Sequence, residues 1–439
     1  MKIELKNDFQ SKFLTDNTKE TLQNPKDSIF VKTALNCKYI NELENKNIKM
    51  ISPLELGKFL ELKPKIIGIT GTNGKTTIAS CIYSLLLSLG FKAAMLGTRG
   101  FFVNDKQISP KGLTTPTLLE LYKNIDIVSK EQCKYFIMEV SSHAIAQNRI
   151  EGLNFALKIL SNITSDHLDF HNTRDEYIRV KNSFFSDDSL KLINKECKEA
   201  AFNLQNAYTY AIELGANFKI NAYSLKDGIN AHISFNDFRN KINEETTLQS
   251  CLAGKHNLYN ILASIGAVKL LESSISLQDI SDKLEEFGGV EGRMQVVNNN
   301  PLVIVDFAHT PDGMKNIFEA FLGRKLKVLF GAGGDRDRLK RPIMGSISER
   351  YATKIYLTSD NPRSENPASI IDEILGGITN KAKVEVESNR KIAISNALKE
   401  LKSDEILLIL GKGDETYQII GTQLLPFDDR LEVKEFYKN

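Results

Sequence analysis

The segment Ile69–Thr77 constrains the fold more than any other part of the chain, and it reads Ile-Thr-Gly-Thr-Asn-Gly-Lys-Thr-Thr. Lys65–Ile69 is a short apolar run of strand type, and the residues after the segment repeat apolar positions at helical spacing until Gly90. A glycine-rich turn between a strand and a helix directs several backbone N–H groups at one point, where the helix dipole favours an anion. The segment therefore predicts a nucleotide triphosphate site, with Lys75 beside the outer phosphates and Thr76 offering a hydroxyl to Mg²⁺.

This phosphate loop departs from the strict P-loop pattern at one position. The pattern places glycine five residues before Gly74, where this chain has Ile69. Gly71 must then make the turn, in a tighter loop. The alternative interpretation is an ordinary turn between a strand and a helix.

Composition sets the broad class of the protein. A chain of 439 residues is too long for one core, so two or three domains are expected. A net charge of +2 gives no sign of a nucleic-acid or membrane partner. Five cysteines without a CxxC pair indicate reduced thiols rather than disulfides. The run Met1–Asp8 alternates charges and lacks the apolar core of a signal peptide, so we expect a cytoplasmic protein.

Strand and helix patterns alternate from Lys65 onward, which predicts parallel sheets covered by helices. The first sixty or so residues are polar and weakly patterned. A second series of alternating strands and helices begins near residue 292, without a phosphate loop. Its predicted strands are Leu302–Phe307, Lys327–Phe330, Lys354–Thr358, Lys383–Val386 and Glu405–Leu410, and its predicted helices are Pro311–Leu322, Pro342–Tyr351, Ala368–Leu375 and Arg390–Leu401.

Polar residues follow two predicted strands of the first series. Glu139 ends one strand and is well placed as an oxygen ligand for Mg²⁺, although a solvated glutamate is the alternative. Asn162–His171 holds two histidines and two aspartates, for which a zinc site and helix capping are the alternatives. Lys181 lies in a predicted helix, and its pattern alone is typical of a surface lysine.

Further polar groups point to a second ligand. Asn257 and Asn260 share one helix face, where they either hold an adenine edge or cap the helix. In the second series, Gly331–Arg338, Asp360–Arg363 and Gly411–Glu415 each follow a strand. Their arginines favour a carboxylate and their acidic residues an ammonium, so together they predict an amino-acid site, with solvated loops as the alternative.

These motifs occur in an order that resembles the Mur ligases of bacterial cell-wall synthesis. The motifs that carry the resemblance are Gly71–Thr77, Glu139–His143, Asn162 with Asp166 and His167, His256–Asn257 with Asn260, Asp306–His309 and Gly333–Asp337. Thr114–Pro116, Ser141–His143 with Gln147 and Arg149, and Asp360–Arg363 narrow the resemblance to the MurE type. It covers roughly residues 65–425. The type adds the third residue to UDP-N-acetylmuramoyl-L-alanyl-D-glutamate.

The resemblance implies a role for each matching residue. The implied ATP contacts are Gly71, Thr72, Asn73, Gly74, Lys75, Thr76, Thr77, Asn257, Asn260 and Asp306. The implied Mg²⁺ ligands are Thr76, Glu139, His167 and Lys181 as a carbamate, and Lys75, Lys181, His167 and Glu139 form the implied catalytic set. The implied contacts to the UDP-muramoyl dipeptide are Thr114, Thr115, Ser141, Gln147 and Arg149. The implied amino-acid site comprises Arg336, Asp360, Asn361, Arg363, Gly411 and Glu415.

The resemblance also implies the architecture and the reaction. We expect an α/β protein of three domains: a shortened UDP-binding-type domain at 1–63, a central ATP-binding P-loop-type domain with a parallel sheet at 64–291, and a Rossmann-like, doubly wound amino-acid-binding domain at 292–439. The implied enzyme is a monomeric, ATP- and Mg²⁺-dependent ligase of peptidoglycan precursor synthesis. It would add meso-diaminopimelate to the UDP-muramoyl dipeptide through an acyl phosphate.

Alternatives remain at this point. They are the same type of ligase with L-lysine as its substrate, a folylpolyglutamate-type ligase, and an ATP-hydrolysing regulatory module. The form Asp360-Asn-Pro-Arg363 resembles the enzymes that take diaminopimelate, because Arg363 suits a distal carboxylate that lysine lacks.

Three positions depart from the family pattern. Asp414 stands where histidine is usual, and Phe307 stands where tyrosine is common. The family's Asp-Ser-Arg-like uridine motif is at best Asp16-Asn17-Thr18, so the uridine contacts stay unassigned.

Overall fold

The computed structural model describes residues 1–5 and 11–438. Part of the charged run Met1–Asp8 therefore lies outside the described residues. Within them, no helix is long and apolar enough to cross a membrane.

The first stretch of the chain forms a small mixed sheet in the order β1–β2–β3–β4, with β1 and β2 antiparallel and the other pairs parallel. Its strands are β1 Lys2–Glu4, β2 Phe13–Thr15, β3 Ser28–Val31 and β4 Met50–Ile51, and its helices are α1 Thr18–Gln23 and α2 Ile40–Glu44. Asp16 accepts a bond from the N-terminal ammonium of Met1, and Asn17 caps α1. Asp16 and Asn17, which belong to the segment most similar to the uridine motif, therefore bond to other groups of this first stretch.

The central sheet runs in the order β15-β14-β13-β12-β11-β10-β5-β9-β6-β7-β8. Its strands are β5 Lys65–Thr70, β6 Ala93–Gly97, β7 Gly100–Val103, β8 Lys106–Ser109, β9 Tyr135–Glu139, β10 Phe155–Leu160, β11 Lys191–Asn194, β12 Ala207–Ala211, β13 Phe218–Ser224, β14 Ile229–Asp237 and β15 Ile242–Ser250. Its helices are α3 Lys75–Ser88, α4 Leu118–Lys130, α5 Ser142–Ala146, α6 Leu168–His171, α7 Arg174–Ser183, α8 Lys255–Leu271 and α9 Leu277–Leu284.

The middle of this sheet, from β13 to β6, is parallel, and both ends are extended by antiparallel strands. Parallel strands are buried on both faces, which explains their continuous apolar runs. Helix α4 also closes the small first sheet, because Leu118, Leu119 and Tyr122 share a core with Ile29 and Leu56. The small first sheet therefore packs against the central domain through a common apolar core.

The last sheet runs in the order β16-β17-β21-β18-β19-β20, parallel except for the antiparallel pair β16–β17. Its strands are β16 Gln295–Asn299, β17 Leu302–Asp306, β18 Lys325–Phe330, β19 Lys354–Leu357, β20 Val384–Val386 and β21 Glu405–Leu410, and β22 Tyr417–Ile420 pairs with β23 Gln423–Pro426 as a hairpin. The helices are α10 Pro311–Glu319, α11 Lys340–Tyr351, α12 Pro367–Leu375, α13 Arg390–Lys399 and α14 Asp429–Phe436.

Helices cover both faces of this last sheet. Ile304 and Leu408 pack in a core with α10, α11 and α12, whereas their neighbours Val303 and Leu407 pack in a core with α13 and α14. The α/β fold class and the doubly wound second half predicted from the sequence are confirmed. Each predicted strand and helix of this half has a counterpart whose ends differ by three residues or fewer.

Candidate active site

One cleft of about 1090 Å³ receives the carboxyl ends of strands from both large sheets. The end of β5 leads into the phosphate loop, and β9 and β10 end at Glu139 and Leu160 beside it. The ends of β17, β18 and β21 approach from the other side. Ligands of open α/β sheets gather at the carboxyl ends of the strands, so this cleft is the candidate active site.

The phosphate loop has the tight form expected from its sequence. Ile69 is buried inside β5, and the chain turns at Gly71 and Gly74. Gly74 has a φ of +89°, and an added Cβ would lie 2.4 Å from Oδ1 of Asn260, so the position suits glycine for two reasons. The Lys75 ammonium donates to the backbone carbonyls of Gly71 and Thr72 at 2.8 and 3.0 Å, and burial lowers its pKa.

Glu139 lies across from the first turn of α3. Its side chain is 2% exposed and accepts bonds from the Thr76 hydroxyl at 3.1 Å and from the Thr98 backbone N–H at 2.9 Å. The Thr98 hydroxyl donates to it as well, at 3.2 Å. An added Cβ at Gly97 would lie 2.2 Å from a Glu139 oxygen, so a glycine makes room for the carboxylate. The solvated strand-end alternative for Glu139 is therefore wrong.

His167, with 38% of its side chain exposed, pairs with the buried Asp166 on the same side of the cleft. The His167 ring nitrogen lies 3.4 Å from the Asp166 carboxylate, and burial lowers the pKa of His167 to about 3. Burial alone would raise the pKa of Asp166, but the neighbouring His167, His309 and Lys340 lower it overall. A neutral imidazole beside a carboxylate is the form of histidine that binds a cation.

Lys181 is buried in the middle of the domain rather than exposed on a helix surface. Its side chain is 1% exposed, and Nζ lies 3.4 Å from the Thr70 hydroxyl and 4.9 Å from the centre of the Tyr177 ring. Burial, reinforced by the charge of Lys75, lowers the pKa of Lys181 well below its ordinary value. The surface-lysine interpretation from the helix pattern is wrong, because the side chain is buried and its environment disfavours the charged form.

The residues expected around the dipeptide are bonded to one another. The Thr115 hydroxyl donates to the Glu139 carbonyl at 2.9 Å and accepts from the Ser141 N–H at 3.0 Å. Arg149 donates to the Thr115 carbonyl at 2.8 Å and to the Gln147 amide oxygen at 2.9 Å. Thr114 lines the cleft itself, whereas the other four lie behind it and hold the loop that carries Thr114.

The amino-acid residues meet at the ends of β19 and β21. Asn361 donates to Glu415 at 2.9 Å, and the buried Lys412 ammonium contacts both, at 3.2 Å to Asn361 and 3.0 Å to Glu415. Asp360 and Gly411 adjoin this group, since a Cβ on Gly411 would lie 2.4 Å from the Asp360 carboxylate.

Arg363 and Arg336 complete this side of the cleft. Arg363 has a φ of +52° and donates from Nη1 to the Gly334 carbonyl at 2.7 Å. In the described part of the chain its Nη2 and Nε make no hydrogen bond, and the residue lines the cleft. Arg336 lies beside it on the loop after β18, and its charge lowers the pKa of Arg363, second to burial.

The adenine and ribose candidates also reach the cleft. Asn257 donates to the Ala253 carbonyl at 2.8 Å, and Asn260 donates to Asn257 at 3.1 Å. The helix-capping alternative is wrong, because the helix is capped at Gly254 without a side-chain bond. Both asparagine side chains line the cleft, and their contact to adenine stays a prediction. The Asp306 carboxylate accepts the N–H groups of Met294 and Ala308 at 2.6 and 2.7 Å.

Sequence reasoning missed three cations of the site. Arg293 donates to the Thr76 hydroxyl at 3.5 Å and lies 4.2 Å from the centre of the Phe307 ring. Lys340 lies 4.0 Å from Asp166, and Lys412 is the buried lysine described above. Arg293 follows the turn at Gly292 and Lys340 begins α11, and neither belongs to a recognised motif. Lys412 stands inside the run Gly411–Glu415, of which only the acidic residues predicted a ligand contact.

The donors around Thr76 and Glu139 suit a divalent cation. A buried carboxylate, a hydroxyl and a neutral imidazole are oxygen and nitrogen ligands that Mg²⁺ or Mn²⁺ accepts. Within residues 1–5 and 11–438, no three His, Cys, Asp or Glu side chains form a metal-binding group. A cation here would therefore depend on Thr76, the phosphates and a modified Lys181 in addition to Glu139 and His167.

Two family models and a curated relative match this chain. Residues 69–268 match the family model of the Mur ligase middle domain, and residues 292–413 match that of the Mur ligase, glutamate ligase domain. A Helicobacter pylori protein named UDP-N-acetylmuramoyl-L-alanyl-D-glutamate–2,6-diaminopimelate ligase is 55% identical over 97% of this chain and 96% of its own.

Two solved structures share the fold. A structure of a UDP-N-acetylmuramoyl-L-alanyl-D-glutamate–2,6-diaminopimelate ligase is 27% identical, with a TM-score of 0.62 over 94% of this chain and 92% of that one. The folylpolyglutamate synthase of Mycobacterium tuberculosis, solved with ADP and AMPPCP, is 15% identical, with a TM-score of 0.65 over 82% of this chain and 91% of that one. At that identity the second likeness concerns the fold alone.

Proposed function

The chain belongs to the Mur ligase family, and on that premise we propose that it joins meso-diaminopimelate to UDP-N-acetylmuramoyl-L-alanyl-D-glutamate with ATP. The observation that carries the proposal is the shared cleft. It places the phosphate loop and Glu139 opposite Arg363 and Glu415, so a phosphorylated acid and an amino acid can meet there. The product is a precursor of peptidoglycan, which assigns the protein to cell-wall biogenesis and thereby to cell shape and division.

We propose domain limits that each enclose one sheet, the last one together with the two-stranded hairpin of β22 and β23. We assign residues 1–63 to the UDP-binding-type domain, 64–291 to the ATP-binding domain and 292–439 to the amino-acid-binding domain. We further propose a cytoplasmic monomer, because both substrates and ATP are small soluble compounds.

The reaction has two steps. The γ-carboxylate of the D-glutamyl residue attacks the γ-phosphorus of ATP, and ADP leaves, which gives an acyl phosphate. The deprotonated amine of diaminopimelate then attacks the acyl carbon, and inorganic phosphate leaves as the amide forms. The enzyme needs no side-chain nucleophile, since both steps depend on positioning and on charge stabilisation.

The chain's own groups stabilise the charges of the first step. Lys75 turns from the loop carbonyls towards the phosphates, and the N–H groups at the start of α3 bind the phosphate oxygens. Arg293, beside Thr76, adds a second cation at the same place. Thr76, Glu139, His167 and Lys181 would hold Mg²⁺, which when bound neutralises phosphate charge and so reduces the repulsion between the two anions.

Lys181 is proposed to bind CO₂ and act as a carbamate. Only the neutral amine adds CO₂, and burial lowers the pKa of Lys181, which favours that form. The carbamate oxygens would turn a buried amine, which cannot bind a cation while protonated, into an anionic ligand.

Arg363 is proposed to select diaminopimelate over lysine. Its free guanidinium edge matches the distal carboxylate, and a charged hydrogen bond of this kind contributes about 1.5–3 kcal/mol, or roughly ten- to a hundredfold. Glu415 and Asp360 bind the ammonium groups of the amino acid.

The test is a panel of amino acids supplied with the UDP-muramoyl dipeptide and ATP, with the products identified by mass. We expect the diaminopimelate tripeptide to dominate. A lysine product in greater yield would refute the Arg363 argument and favour the L-lysine ligase. Glutamylation of a folate would favour the folylpolyglutamate-type ligase, and phosphate release that ignores both substrates would favour an ATP-hydrolysing module.

A further inference from the structure

An ion pair joins two loops at the cleft, the loop that carries Thr114 and the loop that carries Glu415. Lys111 and Asp414 are 303 residues apart, and the Lys111 ammonium donates to an Asp414 carboxylate oxygen at 3.2 Å. Their side chains are 24% and 12% exposed, so the pair is largely removed from water. Lys111 stands three residues before Thr114, and Asp414 directly precedes Glu415.

The surroundings of the pair fix both partners. Asp414 has its backbone against Gly292, whose added Cβ would lie 2.1 Å from the Asp414 nitrogen. Lys111 also lies 5.4 Å from the centre of the Phe307 ring. The nearby Arg430 is held by Asp428 through bonds of 2.9 and 2.7 Å, which leaves Lys111 as the partner of Asp414 among the described residues.

Other contacts across the cleft serve the nucleotide. Asn73 of the phosphate loop donates to Asp312 at 3.1 Å, and Arg293 donates to Thr76 at 3.5 Å. These contacts join the two large domains where the phosphates of ATP are proposed to bind. The pair Lys111–Asp414 lies instead between the loop that carries Thr114 and the loop that carries Glu415.

We propose that Lys111 and Asp414 are positioning residues that bring the acyl substrate and the amino acid together in this ligase. The proposal rests on the proposed function and deepens it. Neither residue touches the reacting atoms. Their attraction favours the arrangement in which the two loops face each other, and a like-charged pair at this distance opposes it.

The charge of Asp414 is essential to this proposal, because a neutral side chain at this position would not form the ion pair. Because the attraction between Asp414 and Lys111 is electrostatic, the contact between the two loops should weaken as the salt concentration rises.

The experiment compares Asp414→Asn, Lys111→Met, Lys111→Asp and Asp414→Lys with the double variant Lys111→Asp/Asp414→Lys. Each single variant should lower kcat/KM for diaminopimelate by about five- to thirtyfold, with the KM for ATP changed less than twofold. The double variant should recover most of the loss, which shows that the pair acts through its charges. A merely structural role would instead change the kinetics for ATP and diaminopimelate alike. The matched control is Lys325→Met, which breaks the exposed pair Lys325–Asp404 (2.7 Å) at the opposite end of the sheet and should leave kinetics unchanged.

A second measurement is independent of catalysis. Small-angle scattering with an unreactive ATP analogue should show that Lys111→Asp is more extended than the wild type and that the charge exchange restores the compact form. Failure of the wild type to form the tripeptide would refute the proposed function. Normal tripeptide formation combined with single variants that behave like Lys325→Met, or with no recovery in the double variant, would overturn the positioning role alone.

Discussion

Replacement of Lys181 separates a chemical role from a structural one. In water a lysine has a pKa of about 10.4, so its neutral form costs roughly 4–5 kcal/mol at pH 7. In the protein the amine is 1% exposed and its pKa is lowered well below the ordinary value, because burial opposes the charged form. The fold therefore disfavours the charged form of this amine, and the amine that results is the form that can add CO₂.

The pH dependence follows from the sign of this shift. A depressed lysine pKa means that the unfolded chain binds the proton more strongly than the native chain. The Lys181 contribution therefore disfavours the native state below the unfolded pKa, and it becomes more unfavourable as pH falls until the native pKa is reached. Each unit of depression corresponds to about 1.4 kcal/mol, so Lys181→Met should leave the Tm equal to or above that of the wild type.

Activity should respond in the opposite direction. Removal of a ligand to a catalytic cation should lower kcat by about a hundred- to ten-thousandfold, since metal stabilisation of the transition state contributes several kcal/mol. The assay follows phosphate release and tripeptide mass for Lys181→Ala and Lys181→Met with and without bicarbonate, which should not restore either variant. A short carboxylic acid, supplied to Lys181→Ala, is expected to restore part of the rate.

A second buried lysine provides the matched control. Lys191 is fully buried and donates to the carbonyls of Asp187 and Gln205 at 2.7 and 2.8 Å, away from the cleft. Lys191→Met should lower the Tm and leave kcat of the folded enzyme within about threefold. Full activity in Lys181→Ala would refute the carbamate role, and a fall in Tm parallel to that of Lys191→Met would assign Lys181 to structure.

The other predictions concern selectivity, the cation site, pH and stability. Arg363→Ala should lower kcat/KM for diaminopimelate by about ten- to a hundredfold and for lysine by less than threefold, as competition between the two amino acids will reveal. Glu139→Gln should lower kcat by at least about a hundredfold, with a higher requirement for Mg²⁺ in titration, and an unchanged requirement would contradict its role as a ligand. Burial lowers the pKa of His167 to about 3. The contribution of His167 to the unfolding free energy should therefore be present above about pH 6.5 and be lost progressively towards pH 3. In chemical denaturation, His167→Gln should show a smaller loss of unfolding free energy over this pH range. The fully buried pair Arg390–Asp429 is bonded twice at 2.7 Å. Asp429→Asn should cost about 3–5 kcal/mol of unfolding free energy, and a loss below 1 kcal/mol would contradict it.

Much of the site was readable from the sequence because of how parallel sheets are built. Gly71 follows one apolar strand of the central sheet, Glu139 ends a neighbouring strand of that sheet, and Asp360 follows a strand of the last sheet. Because parallel strands of one sheet end at the same edge, the sequence places each group at one edge of its own sheet, and the fold brings the two edges to one cleft. The sequence did not show that Glu139 is buried rather than solvated, because its burial depends on the space that Gly97 leaves beside it.

The parts that the sequence did not reveal depend on distant contacts. Helix α7 is polar along most of its length, so nothing local marks Lys181 as buried; Tyr177 and Thr70 enclose it only after folding. The strands of the small first sheet were not predicted, because they have only two to four residues each. The longer strands β13–β15 were not predicted either, because polar residues interrupt their apolar pattern. Lys111 was also missed, since its partner lies 303 residues away.

The central claim is that one cleft joins an ATP-activated muramoyl dipeptide to diaminopimelate. The most direct measurement gives the enzyme equal concentrations of meso-diaminopimelate and L-lysine with ATP, Mg²⁺ and the UDP-muramoyl dipeptide, and determines the masses of the products. We predict the diaminopimelate tripeptide as the dominant product, formed in a one-to-one ratio with ADP. A dominant lysine tripeptide, or ADP formed without any tripeptide, would contradict the account.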